Sequence, residues 1–246
     1  MLVGCLAMTS AWATLASTLT DSLRLGPPPI AITFTDAPPP GVPAFDDPMG
    51  APAEDGRTGR VAAGCVFWMR STDRTFSTVA EDHGNCSVGS LTHGFKTLDE
   101  VADRSDVATL LGSGWVTMEI VPDIPVVTDK PGAVVYGPLA ETTVDPDVVL
   151  LRVNGKQLMT ISDAWPGLRI EGKPQCHIIA IAKEHGEPAA SVGCALSRVR
   201  TGMNVGEMTM AIPGPRLAEF VEALTATAAV DNVVARYAAD DATRFG

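Results

Sequence analysis

A cysteine-bearing unit occurs twice in this chain, and a unit used twice limits the fold to arrangements in which two similar halves face each other. Residues 59–95 read G-R-V-A-A-G-C-V-F-W-M-R-S-T-D-R-T-F-S-T-V-A-E-D-H-G-N-C-S-V-G-S-L-T-H-G-F. Residues 176–198 read C-H-I-I-A-I-A-K-E-H-G-E-P-A-A-S-V-G-C-A-L-S-R. In each copy a Cys opens an apolar, helix-like run that ends on a basic residue, Arg70 or Lys183. A turn, a short β-type run (75–80 or 189–192) and a second Cys follow. The order of the parts matches more closely than the residues or the spacings do.

The rest of the chain fits around these units. Trp12, Leu15, Leu19 and Leu23 recur at helical spacing, which predicts an amphipathic helix over about 9–25, stopped by Gly26 and the prolines after it. Strands are expected at 29–34, 75–80, 115–121, 133–139, 147–153 and 207–212, and helices at 60–70, 87–95, 97–111 and 157–165. A last helix begins after Pro213, Gly214 and Pro215, carries Leu217, Phe220, Val221 and Leu224 on one stripe, and frays beyond about Tyr237. Residues 36–60 are rich in breakers and have no hydrophobic period, so they form a long loop, either a lid or an insertion. Interleaved strands and helices predict an α+β protein, a mixed sheet with packed helices and two pseudo-symmetric halves in one globular domain. The segments are an N-terminal helix (1–28), a first half (29–140) and a second half with the C-terminal helix (141–246).

Charge narrows the partners. The formal net charge is −11, and none of the 18 Lys and Arg residues form a run, which argues against nucleic acid and against an anionic membrane surface. The start, M-L-V-G-C-L-A-M, lacks a basic region and has no room for a signal core before Cys5, so a cytoplasmic protein with reduced thiols is expected. Its five cysteines are then buried, metal-binding or reactive rather than disulfide-bonded. Self-association, where it occurs, is expected as a symmetric dimer.

Several segments together carry a resemblance. They are L-R-L-G-P-P-P-I-A-I-T-F, E-D-H-G-N-C-S-V-G-S-L-T-H-G-F, V-V-Y-G-P-L, D-V-V-L-L-R-V-N, V-G-C-A-L-S-R and M-A-I-P. In that order they resemble the uncharacterised ArCR family, also called the domain of unknown function 169 family, from about Trp12 to Leu224. The resemblance implies cysteines at the positions of Cys65, Cys86, Cys176 and Cys194, and it brings no reaction or cofactor. The Pro-rich loop after the first strand is longer here than in the family's pattern.

Equivalent positions near a two-fold axis approach one another, so Cys65, Cys86, Cys176 and Cys194 are expected to converge. Four thiolates are the ligand set of a structural zinc or an iron–sulfur cluster, although no C-x-x-C occurs and each ligand would come from a separate element. Two other readings stand beside this one. Free Cys packs as a small hydrophobe, and the four would then be core. Cys86, before a helix start and three residues from His83, would alternatively be a nucleophile of lowered pKa.

Glu81, Asp82 and His83 form an acidic turn beside Cys86 that offers general acid–base groups, or else caps the next turn. Arg198 lies one helical turn beyond Cys194 and is assigned an anionic substrate group or the cluster, the bland alternative being a salt bridge. His177 is a spare ligand, while His93 and His185 read as ordinary helix-end or surface histidines. G-x-S-x-G, G-x-x-x-x-G-K and G-x-G-x-x-G are all missing, which removes the common hydrolase and nucleotide-dependent classes. The expected function is an enzyme, a redox enzyme or a lyase, acting on a small organic molecule, an anionic one included, in a cleft between the halves. The alternative class is a metal-free small-molecule binding or sensor module.

Overall fold

The computed structural model describes residues 2–47, 59–172 and 174–245, the side chains of 2–10 excepted. Helix α1 (Leu2–Leu23) leads into β1 (Ile30–Thr35), and the first cysteine unit supplies α2 (Cys65–Arg70), β2 (Phe76–Thr78) and α3 (Ser87–Thr92). Two short helices, α4 (Leu98–Val101) and α5 (Ser105–Gly112), precede β3 (Ala133–Pro138). The second half runs β4 (Val148–Val153), α6 (Gly155–Ala164), β5 (Arg169–Glu171), α7 (His177–Ala180), β6 (Ala189–Ser191), α8 (Ala195–Thr201), β7 (Met208–Pro213) and α9 (Leu217–Ala242).

All seven strands form one mixed sheet in the order β2-β3-β1-β4-β7-β6-β5, in which only the β5–β6 pairing is parallel. The α+β expectation holds. Each cysteine unit is threaded alike: β1 pairs with β3 and β3 with β2, while β4 pairs with β7 and β7 with β6. β1 and β4 then join the two sets at the centre, Ile30 opposite Leu150 and Ile32 opposite Val148.

Strand alternation sorts the core into two layers. Val149, Leu151 and Val153 of β4, with Ala31, Met210 and Ile212, pack under α1, α6 and α9, where Leu19, Ile161, Phe220 and Leu224 are buried. Val148 and Leu150, with Ile30, Ile32, Val134, Tyr136 and Ala211, face the other way, against Phe67 and Trp68 of α2 and Ile178 and Ile179 of α7. The long helices therefore cover one side, and the cysteine-bearing short helices cover the other. Gln157 ties the first side together: its amide donates to the end carbonyls of α1, Leu23 at 2.9 Å and Arg24 at 3.1 Å, while its oxygen closes the α6 capping box at Asn154.

Several expectations change. Residues 115–121 are not a strand; they wrap back on α5, with Trp115 and Val116 N–H groups donating to Leu110 C=O, because no strand edge is there to pair with. β5 was not anticipated, since Arg169 and Glu171 flank a single, half-exposed Ile170. The first cysteine helix begins at Cys65, not at 60, because the Asn85 side chain occupies the backbone of Gly59 and Val61. α9 continues to Ala242, past the point where fraying was expected. In the loop 36–60, residues 48–58 lie outside the described residues. Its described first part packs on the β2 edge, where Phe45 N–H donates to Ser77 C=O and Ser77 N–H donates to Pro43 C=O.

Candidate thiol site

The four cysteines sit at helix starts, where the backbone is still turning into the helix. Cys86, Cys176 and Cys194 are the N-cap residues of α3, α7 and α8, and Cys65 is the first residue of α2. α2 packs against α8, and α3 against α7, so each contact pairs one cysteine element from each half. All four cysteines, free of disulfides, line one small cavity of about 30 Å³. That is room for a few atoms and too little for an organic substrate.

Polar groups with unmet hydrogen bonds share the lining. Trp68 Nε1, His93 Nε2, Gln175 Oε1 and Arg200 Nη1 are buried and unpartnered, and all four residues border the cavity. An unpaired buried polar atom costs about 1–3 kcal/mol, so four around one small space are a signature of a missing partner. His93 and Gln175 are each only 1% exposed. The His93 Nδ1–H donates to Gly89 C=O at 3.0 Å, which leaves Nε2 a bare lone pair, and burial lowers the ring's pKa to about 4.

Burial also controls the thiols. It pushes Cys65 up to about 12, with a hydrogen bond to Ser197 and the charge of Arg200 pulling the other way and Cys86 and Cys194 adding to the rise. Cys86 is raised by burial, despite the Gly89 N–H that reaches its Sγ at 3.4 Å and despite Arg200. This is opposite to the lowered pKa expected of a nucleophilic Cys86. Cys176 is raised well above its ordinary value by burial and then by Cys86, with a hydrogen bond to Thr92 opposing. Cys65, Cys86 and Cys176 are therefore neutral until a cation compensates them, and binding one would release protons. Among the described residues no group of three or more His, Cys, Asp or Glu side chains is arranged to hold a metal ion.

The other expected site residues lie elsewhere. Glu81 and Asp82 line a separate hollow with Arg60 and Phe45. Asp82 accepts from Val79 N–H at 2.9 Å and pairs with Arg60 at 2.8 Å, so it is the cap of its own turn. Burial raises the Asp82 carboxyl, against the pull of the Val79 N–H and of Arg60. His83 is enclosed by Phe67 and Phe95, each at 4.7 Å between ring centres, and is held neutral by burial and by His93. Because Thr78 donates its hydroxyl proton to Val134 C=O, His83 Nε2 is the donor to Thr78 at 3.0 Å and Nδ1 is left bare. A Cβ at Gly64 would stand 3.0 Å from that Nδ1, so a glycine is needed where α2 meets it.

Arg198 does not face the thiols. Its guanidinium donates to the carbonyls of Val192, Asn204 and Glu207 at 3.0, 2.6 and 2.8 Å and clamps the ends of α8 to β6 and β7. Arg200 takes the place assigned to it. Cys194 has extended backbone (φ −135°, ψ 126°) and stands outside the helix, so counting a helical turn from it selects the wrong face. Ser197 and Arg200, three residues apart on α8, both border the cavity. His93, read from sequence as peripheral, is drawn inward because Gly94 (φ +77°) reverses the chain directly after it.

The model of the family described as uncharacterised ArCR, domain of unknown function 169, matches residues 18–223, a span that contains all four cysteines and the whole sheet. No curated protein and no solved structure matched the chain.

Proposed function

The chain belongs to the uncharacterised ArCR family, which brings it no assigned reaction, and we propose from the site itself that Cys65, Cys86, Cys176 and Cys194 hold an iron–sulfur cluster. The observation that carries this reading is the shared cavity: four thiols and four unpartnered buried polar atoms around one space too small for an organic ligand. Zinc fits less well. One zinc draws four sulfurs to about 2.3 Å from a single point, whereas the irons of a cluster each take their own thiolate and hold the sulfurs apart. These thiols surround a cavity without forming a single-ion group, and, since about 30 Å³ holds only a few atoms, they would have to spread to admit a cluster.

Bound there, a cluster supplies electron transfer or a Lewis-acidic iron to a small organic substrate. The chain's own residues do the rest. Arg200 sets a positive charge against the thiolates, Gly89 N–H donates to Cys86 Sγ, and Ser197 and Thr92 hydrogen-bond Cys65 and Cys176. Such bonds to sulfur, together with burial, set a cluster's reduction potential. The reading also places the protein where thiols stay reduced, as in cytoplasm. No helix among the described residues is long and apolar enough to cross a membrane.

The test is anaerobic purification followed by iron, acid-labile sulfide and zinc analysis with an absorption spectrum. Iron and sulfide in near-equal amounts with visible colour are expected. A folded, colourless protein without iron or sulfide would overturn the cluster, and stoichiometric zinc would replace it with a structural site.

A further inference from the structure

Next to the thiol cavity lies a second, larger hollow of about 280 Å³ on the same side of the sheet, and Val88 and Pro174 line both. Its walls come from α3, α4, α5 and the 115–124 turn, the segment whose apolar residues found no sheet to join. Leu91, Val101 and Leu110 are buried in it. Met118 and Ile120, 66% and 47% exposed, stand at its open side. Large apolar side chains left facing a concavity mark a ligand site more often than a defect.

One polar atom breaks the apolar lining. His177, the residue after Cys176 and only 8% exposed, borders this hollow, and its Nε2 is buried without a hydrogen-bond partner. Among the described residues, the only charged side chain in the lining is Asp99, whose sign repels anions. We infer that this hollow binds an uncharged, mainly apolar organic molecule of one or two rings, with one oxygen that hydrogen-bonds His177 Nε2. Volume sets the size, the leucines and valines set the polarity, and the orphaned imidazole nitrogen sets the single oxygen. This narrows the small organic molecule expected from sequence, an anionic one included, to an uncharged one. Its standing as a substrate site rests on the cluster reading, because the shared Val88–Pro174 wall is what places the ligand beside the thiols. The binding site itself does not.

The test uses 1-naphthol, naphthalene and 1-naphthoate as probes, titrated by fluorescence and calorimetry on the full-length protein. One saturable 1-naphthol site per chain is expected, with naphthalene weaker and 1-naphthoate weakest. His177→Ala should weaken 1-naphthol about ten-fold, the worth of one hydrogen bond to a buried group, and leave naphthalene unchanged. Ala102→Trp, at an exposed position of the same lining, should remove binding of both without touching the core. The inference fails if 1-naphthol does not saturate on folded protein, if 1-naphthoate binds as tightly, if Ala102→Trp changes nothing, or if His177→Ala affects both neutral probes equally. Iron and sulfide are assayed on the same samples. Naphthol binding without iron removes only the cluster, and iron without naphthol binding removes only this site.

Discussion

The two sides of the sheet are built to different ends. Under α1, α6 and α9 the core is aliphatic and aromatic, its polar contacts such as Thr160 to Asp231 are paired, and none of the nine unpartnered buried polar atoms among the described residues lies on those helices. On the cysteine side the same strands support short helices, four thiols, three buried histidines and most of those orphan atoms. A side that satisfies itself holds the fold. One that leaves partners unmade stores the cost of a site, a pattern expected where function overrides packing.

The sharpest way to test that division is to damage the closed side. Phe220 is fully buried and packs on Trp165 with ring centres 5.7 Å apart, so Phe220→Ala should cost about 3–5 kcal/mol, read from the denaturant midpoint. The iron bound per folded molecule should not change. If iron content falls in proportion to the stability lost, the two sides are not separable and the comparison breaks.

A smaller loss is expected from the clamp that ties α8 to β6 and β7 on the cysteine side. Arg198→Met abandons three carbonyls that the guanidinium now satisfies and should cost about 2–3 kcal/mol, whereas Arg200→Met should cost under about 1 kcal/mol, since Arg200 Nη1 has no partner to lose. Equal losses from both would return Arg198 to the role the sequence assigned it.

That contrast shows what was legible in the chain. Periodicity placed Leu19, Phe220 and β4, because burial under a helix or between two layers writes itself as a repeat of 3.6 or 2. The doubled cysteine pattern placed the four thiols together, and they meet because α2 packs on α8 and α3 on α7 across the β1–β4 seam. Cap geometry hid the rest. Cys194 is a cap and not a helical residue, so Arg198 was chosen over Arg200, and Gly94's positive φ turned a seemingly peripheral His93 into lining. Trp68 and Gln175 carried no signal beyond adjacency to the cysteine helices. The weak alternation at 115–121 was hydrophobicity for a hollow, misread as hydrophobicity for a sheet.

Acid should find the cysteine side first. His83, His93 and His177 are all held neutral by burial, the latter two titrating at about 4. In the unfolded chain each takes a proton near pH 6.5. The unfolded state therefore binds more protons below that value, and stability present above about pH 6.5 should fall as pH drops toward about 4. Denaturant midpoints of metal-free protein at pH 7.5, 6 and 5 measure the slope, and His83→Gln should make it shallower. A flat profile down to pH 5 would mean that these rings charge in the folded state and that the cavity is wetter than it looks.

The smallest effect on stability is expected from the thiols, and it separates a site from a core. Cys86→Ser and Cys176→Ser each exchange a sulfur for an oxygen that still has a neighbouring partner, the Gly89 N–H at position 86 and Thr92 at position 176, so metal-free protein should lose under about 1 kcal/mol. Iron and sulfide should be lost almost completely. Packing predicts the reverse, since a hydroxyl placed in an apolar core costs more than that and nothing bound would depend on it. Alkylation adds an independent reading: with the thiols pushed up by burial, iodoacetamide should label Cys65, Cys86 and Cys176 of the folded, metal-free protein slowly at neutral pH and quickly after denaturation. Fast, selective labelling of Cys86 in the folded state would instead point to a nucleophile, and the charge of Arg200 would then have to outweigh burial at that sulfur.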